Sequence, residues 1–196
     1  MRSISNLEIS ATPKPAPLPH IMVDLETMGA TPGSAIVSLG AVAFDPVAGT
    51  LGEEFYRIIT LRSCQRFGLT IDPDTVMWWL QQSDAARAEL SWASADELPS
   101  VLGWFSAWWR RQGGQFIWGH GGNFDEPLLS AAFKAAHVEA PWKYADARCT
   151  RTLFALTGDR PDREQGVHHT ALDDARAQAH AVIRAYSKLR LAGAIA

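Results

Sequence analysis

Nine residues constrain this chain more than any others: Ile21-Met22-Val23-Asp24-Leu25-Glu26-Thr27-Met28-Gly29. The first three are apolar and mostly β-branched, which predicts a buried β-strand. The strand then places an acid, an apolar residue and a second acid in a row. Side chains alternate faces along a strand, so Asp24 and Glu26 point one way while Leu25 points into the core. Two carboxylates on one face repel unless a cation lies between them, and hard oxygen donors suit Mg²⁺ or Mn²⁺. Gly29 releases the chain into a turn. An Asp-x-Glu by itself is more often a solvated strand end, so its meaning depends on partners elsewhere.

The chain around this strand has 196 residues, enough for one domain with a substantial core. A net charge of −3 argues against bulk attraction to nucleic acid or acidic membranes, though not against a local patch or a metal-bridged phosphate. Two cysteines make no disulfide framework, and no zinc spacing surrounds them. The opening residues lack the apolar run of a signal peptide, and no segment is long enough to span a bilayer. A cytoplasmic protein without membrane partners is the expectation.

Residues 1–19 are rich in proline and read as a disordered tail, with the folded domain at 20–196. Ala35 to Phe44 and Leu51 to Thr60 read as two further strands, and with the first they predict an antiparallel meander. Asp72-Pro73 predicts a capped helix start, and Ser83 caps a short helix to Leu90. Ser94-Ala-Asp-Glu97 reads as a capping box for a helix whose apolar face is Leu98, Val101, Leu102, Phe105, Trp108 and Trp109. Gly113-Gly114 ends it. A short strand follows at Phe116-Ile-Trp-Gly, with Asn123 as the cap of a helix from Phe124 to about Ala136. Tyr144-Ala-Asp opens a strand, a helix runs to about Thr157, and a polar loop over 158–167 leads to a last helix from about Thr170 to Leu189. The order predicts a mixed α/β sheet flanked by helices.

Two later segments offer partners for the first acids. In Gly119-His-Gly-Gly-Asn-Phe-Asp125, a Gly-rich loop leaves a strand and Asp125 enters the first turn of the next helix. In His168-His169-Thr-Ala-Leu-Asp-Asp174, a histidine ends a loop and an acid sits one turn into the last helix. Each is ordinary alone, since acids favour helix N-termini. As an ordered set, Asp24, Glu26, Asp125, Asp174 and His169 resemble the DEDDh family of 3′→5′ exonucleases, over about Ile21 to Tyr186. Met-Trp-Trp-Leu at 77–80 and Tyr-Ala-Asp-Ala-Arg-Cys at 144–149 resemble its compact phage and bacterial branch, related to RNase AS and distantly similar to exonuclease VIII. The chain departs from the family in its middle motif, where His120 stands at the usual place of an asparagine. A helix rotates ~100° per residue, so only one of Asp173 and Asp174 can face a site, and the family spacing selects Asp174.

The resemblance implies a ribonuclease H-like fold and two divalent ions, Mg²⁺ or Mn²⁺, held by the four acids. It implies His169 as the base for the attacking water and release of nucleoside 5′-monophosphates from 3′ ends. Single-stranded DNA or RNA ends are the expected partner, because a terminal base must leave its stack to reach a cleft. Leu25, Thr27, Met28, Trp78 and His120 are the candidate substrate contacts, with Trp79 as an alternative to Trp78. Arg148, Arg151, Arg160 and Arg163 are candidate backbone contacts. Relatives in the family are often dimers, so a homodimer is one expectation. Two other functions fit the same residues: a non-catalytic nucleic-acid-binding module, and a phosphodiesterase for small nucleotides.

Overall fold

The computed structural model describes residues 17–90, 95–162 and 170–191. Its centre is the acid-bearing strand, β1 (His20–Thr27), inside a five-stranded sheet. β2 (Ile36–Asp45) and β3 (Thr50–Ile58) continue from it as the expected antiparallel meander. On its other side β1 pairs in parallel with β4 (Phe116–Gly119), which pairs in parallel with β5 (Ala147–Cys149). The order is β3-β2-β1-β4-β5. Parallel neighbours need a crossover, and the helix α5 (Asp125–Ala135) lies in the connection from β4 to β5.

Each face of the sheet has its own core. Ile21, Val23 and Leu25 of β1 share one cluster with α4 (Leu98–Gln112) and α5. All six apolar residues predicted for the buried face of α4 are buried. Fully burying side chains as large as Phe105 and Trp109 contributes roughly 1.5–3 kcal/mol each. Met22, Val42 and Phe44 point the opposite way, against the final helix, α7 (Ala171–Leu191). Small Ala171, Ala175 and Ala179 are among its buried residues near the sheet. Asp24 and Glu26 follow Met22 at strand spacing, so they point to this face.

Local structure departs from the sequence reading in several places. A short helix, α1 (Leu61–Arg66), stands in a stretch to which the sequence reading assigned no element. Asp72 does cap α2 (Pro73–Leu80), and Ser83 caps α3 (Asp84–Arg87), which continues as a 3₁₀ turn to Leu90. The N-cap of α4 is Glu97, three residues after the predicted Ser94. Ser94 lies outside the described residues, Glu97 pairs with Arg66, and the Leu98 N–H is capped by Ser63 Oγ of α1 at 2.9 Å. Asn123 does not cap α5; Phe124 occupies that position with no side-chain cap. Tyr144–Asp146 form a 3₁₀ turn, and the strand begins after them. The helix α6 (Thr150–Thr157) ends at Gly158 in the left-handed region, as its sequence suggests. Leu18 and Pro19, assigned to the tail, are held to the body by backbone hydrogen bonds to Gln112, Gln115 and Phe116. Among the described residues no helix is long and apolar enough to cross a membrane.

Candidate active site

β1 and β4 run parallel and end at the same side of the sheet. In open α/β sheets ligands bind beyond these C-terminal strand ends. The β1–β4 ladder stops at Met22↔Trp118, so later N–H groups on that edge of β1 need other acceptors. The N–H of Leu25 donates to the carboxylate of Asp125. The His120 N–H donates to Asp125 Oδ2 at 2.7 Å. Asp125 is thus clamped from two elements and is only 1% exposed. Gly119 makes this possible: a Cβ there would lie 2.8 Å from Asp125 Oδ2.

A second glycine brings in the last acid. Gly40 of β2 stands opposite Asp24 in register. A Cβ on Gly40 would lie 2.2 Å from the carbonyl carbon of Ala171 and 2.3 Å from the Leu172 nitrogen. The start of α7 therefore rests directly on the sheet beside Asp24. One turn later Asp174 enters the cleft, and oxygens of Asp24, Glu26 and Asp174 come within 4.8 Å of one another. Asp173 turns elsewhere, accepting from Thr170 Oγ1 at 2.9 Å and from Arg176 at 2.6 Å. The geometry selects Asp174, as the family spacing does.

The crowding of carboxylates is felt at Asp24. Burial raises the Asp24 carboxyl well above the usual carboxylate range, and Asp125, Asp174 and Glu26 push it further. Asp125 is raised to about 6 by burial, against the opposing pull of its backbone donors and Arg151. Such a set of hard oxygen donors, electrostatically unfavourable alone, fits Mg²⁺ or Mn²⁺ better than softer ions. Asp24, Glu26 and Asp174 are the group that can share one ion.

The acids line a cleft of about 580 Å³, within the range of ligand pockets. Leu25 and Thr27 line it, although the Leu25 side chain is buried. Met28 instead packs into the core and is absent from the lining. The tryptophan pair divides. Trp79 is buried and its Nε1 donates to the Thr27 carbonyl at 3.0 Å, bracing the end of β1. Trp78 is 41% exposed and lines the cleft. His120 lines it too, with Nδ1 2.8 Å from Thr150 Oγ1. The Thr150 hydroxyl donates to the Gly119 carbonyl, so it accepts from His120 Nδ1–H. Of the four arginines, Arg151 lines the cleft. Arg148 sits over the Phe116 ring and donates to backbone carbonyls, and neither it nor Arg160 lines the cleft. Arg163, His168 and His169 lie outside the described residues.

Two residues here escaped the sequence reading. Gly40 looked like part of a continuous apolar strand. Gln178 lines the cleft, and its Nε2 donates to Asp24 Oδ1 at 2.7 Å. Its position four residues after Asp174 was the available signal, since that spacing shares a helix face.

Residues 19–185 match the 3′-5′ exoribonuclease Rv2179c-like domain. The chain is 30% identical over 125 residues to an exodeoxyribonuclease of Enterobacteria phage T4, covering 55% of this chain and 52% of the phage protein. It thus spans about half the length of that relative. Among solved structures, E. coli Exonuclease I in complex with a dA16 oligonucleotide is similar at a TM-score of 0.59 and 14% identity, over 87% of this chain and 42% of that one. The nuclease domain of 3′hExo, a DEDDh family member bound to rAMP, is similar at a TM-score of 0.56 and 13% identity, over 86% of this chain and 92% of that one. At these identities the two structures speak for the fold, while the match across 19–185 places the chain in the Rv2179c-like 3′-5′ exoribonuclease domain family.

Proposed function

We propose that this chain is a divalent-cation-dependent 3′→5′ exonuclease that removes nucleoside 5′-monophosphates from single-stranded ends of DNA or RNA. The observation that carries the reading is the convergence of Asp24, Glu26, Asp125 and Asp174, from three separate elements, at the end of β1. Asp24, Glu26 and Asp174 would hold one ion, with Asp125 serving mainly a second. When bound, such ions activate a water and stabilise the leaving oxygen of a phosphodiester.

The remaining work falls to side chains around the acids. His169 would take the proton from the attacking water, a task suited to a group titrating near neutrality. Trp78 offers an exposed aromatic face for a terminal base, and stacking of this kind tolerates any sequence. Arg151 supplies positive charge to the lining of a cleft that is rich in acids, where it can meet a phosphate. The acidic net charge is compatible with a phosphate substrate once cations neutralise the site. The oligonucleotide and nucleotide bound by the two structural neighbours support the same substrate class.

Incubating 5′-labelled DNA and RNA oligomers with the protein and Mg²⁺ or Mn²⁺ tests the reading. A ladder shortening from the 3′ end is expected, and a 3′-phosphate should stop it. Cutting of a circular single strand would point to an endonuclease instead. His169→Ala should lose about 10²–10⁴-fold in rate, while His168→Ala should lose little. The reverse result would mean that the histidine register is wrong.

A further inference from the structure

Gln178 is an unusual residue for its position. It lies on the face of α7 that packs against the sheet, where Ala171, Ala175 and Ala179 are buried. The Gln178 side chain is also buried, at 5% exposure. Its Nε2 donates to Asp24 Oδ1 at 2.7 Å, while its Oε1 is buried with no hydrogen-bond partner among the described residues. A buried amide satisfied at one end only is costly, and an apolar side chain here would avoid that cost. Only the amide N–H end suits Asp24 in the form that binds a cation, because an ionised carboxylate accepts and cannot donate. What the position gains from glutamine is therefore its contact with Asp24.

We infer that Gln178 is a positioning residue that holds the Asp24 carboxylate in the orientation needed to bind a divalent cation. The inference rests on the reading of the acids as a cation site. Asp24 and Glu26 come from the strand, Asp174 from the helix one turn before Gln178. The same helix therefore delivers one ligand and orients another. A carboxylate among three others has several ways to turn away from them, and the donated hydrogen bond selects one. Outer partners of metal ligands act in this way, and their removal costs about 10–100-fold in affinity or activity.

Mn²⁺ titration by calorimetry, with free Mn²⁺ counted by electron paramagnetic resonance, tests the inference on the full chain. Gln178→Met keeps the length and removes the donor; Gln178→Ala is the alternative if the methionine is not accommodated. Either variant, folded by near-ultraviolet circular dichroism, should bind Mn²⁺ about 10–100-fold more weakly. Nuclease kcat should recover toward the wild-type value as Mn²⁺ saturates, because the ligands themselves remain. A purely structural role would not shift the Mn²⁺ half-saturation point in this selective way. Wild-type Mn²⁺ affinity in a folded Gln178 variant overturns the inference, provided Asp24→Asn abolishes binding in parallel. If the wild type binds no Mn²⁺, or Asp24→Asn binds as well as wild type, the cation site itself is wrong and the inference falls with it.

Discussion

Two adjacent residues of α7 enter opposite electrostatic environments. Asp173 joins Arg176 and Glu54 in a partly exposed network, where Arg176 bridges both acids at 2.6 Å. Asp174, one residue on, faces Asp24 and Glu26. In the first cluster a cation is built into the chain, and Glu54 is held below its ordinary value by its hydrogen bond from Arg176. In the second, carboxylates crowd together and the Asp24 carboxyl is held far above it. The first cluster is partly neutralised by Arg176 and stabilises the fold slightly. The second is held in an unfavourable state by the packing of α7 on Gly40 and of Asp125 under Gly119. Such a state makes sense if a cation from solution completes it.

Removing charge from each cluster should give the largest contrast. Asp24→Asn and Asp174→Asn should each cost about 10³-fold or more in nuclease rate, since the charge stabilisation lost amounts to several kcal/mol. The metal-free Asp174→Asn protein should also melt at a higher temperature than the metal-free wild type, because a repelling carboxylate has gone. Full nuclease rate in either variant would remove the basis for the assignment.

The next test acts on the packing. Gly40→Val puts side-chain atoms where the backbone of Ala171 and Leu172 now lies. Overpacking of this kind costs about 1–3 kcal/mol, and here it must also lift α7 away from Asp24. Mn²⁺ affinity and rate should fall together, with the helix content retained by circular dichroism. Gly103 is a control within α4, where an added Cβ would meet nothing. Gly103→Ala should stabilise by roughly 0.5–1 kcal/mol and leave activity alone.

These two glycines show what the sequence could disclose and what it could not. The meander and the buried face of α4 were legible because alternation and helical period are local patterns, whereas Asp24, Glu26, Asp125 and Asp174 were brought together only by the family resemblance of the ordered set. Ser63 capping α4 was not legible, since the contact joins residues 35 apart. Gly40 reads as any apolar strand residue until the helix that rests on it is known. Trp78 and Trp79 are adjacent and chemically identical, and only the path of α2 past the end of β1 assigns one to the core and one to the cleft. Gln178 carried a readable spacing from Asp174 but lacked a motif. Long-range contacts between elements decided each of these cases.

The clusters should also respond to pH with opposite signs. Asp125 titrates at about 6 in the folded metal-free protein, and Asp24 is raised as well. Between the ordinary carboxylate value and about 6 the folded state holds protons that the unfolded state has released. Stability should therefore fall as pH rises through about 4 to 6. Glu54 behaves conversely: its lowered value contributes stability above about 4.5 that is lost in acid. Thermal melts of metal-free protein should show the falling limb above pH 4, and Asp125→Asn should flatten it. Added Mn²⁺ should restore stability at neutral pH by binding the folded state. A falling limb unchanged in Asp125→Asn would show that Asp125 is not its source and leave Asp24 as the site acid responsible.

The smallest expected effect belongs to the Arg176 cluster, and it tests the comparison from the other side. Arg176, Asp173 and Glu54 have side chains 39%, 28% and 37% exposed. Ion pairs this open contribute about 0–1 kcal/mol, and salt screens them. Asp173→Asn removes one carboxylate from Arg176 while Glu54 keeps its two contacts to the guanidinium, at 2.6 and 2.7 Å. The melting temperature should drop by no more than about 2–4 °C for a domain of this size. That drop should shrink in 0.5 M salt, on the order of magnitude set by a Debye length of a few Å. Nuclease rate and Mn²⁺ affinity should stay within about twofold of wild type, since Asp173 faces away from the cleft. Arg176→Ala should behave similarly, with a somewhat larger loss because both acids lose their partner. A collapse of Mn²⁺ binding in Asp173→Asn, with Asp174→Asn nearly unaffected, would exchange the roles of the two residues and put the wrong face of α7 toward Asp24.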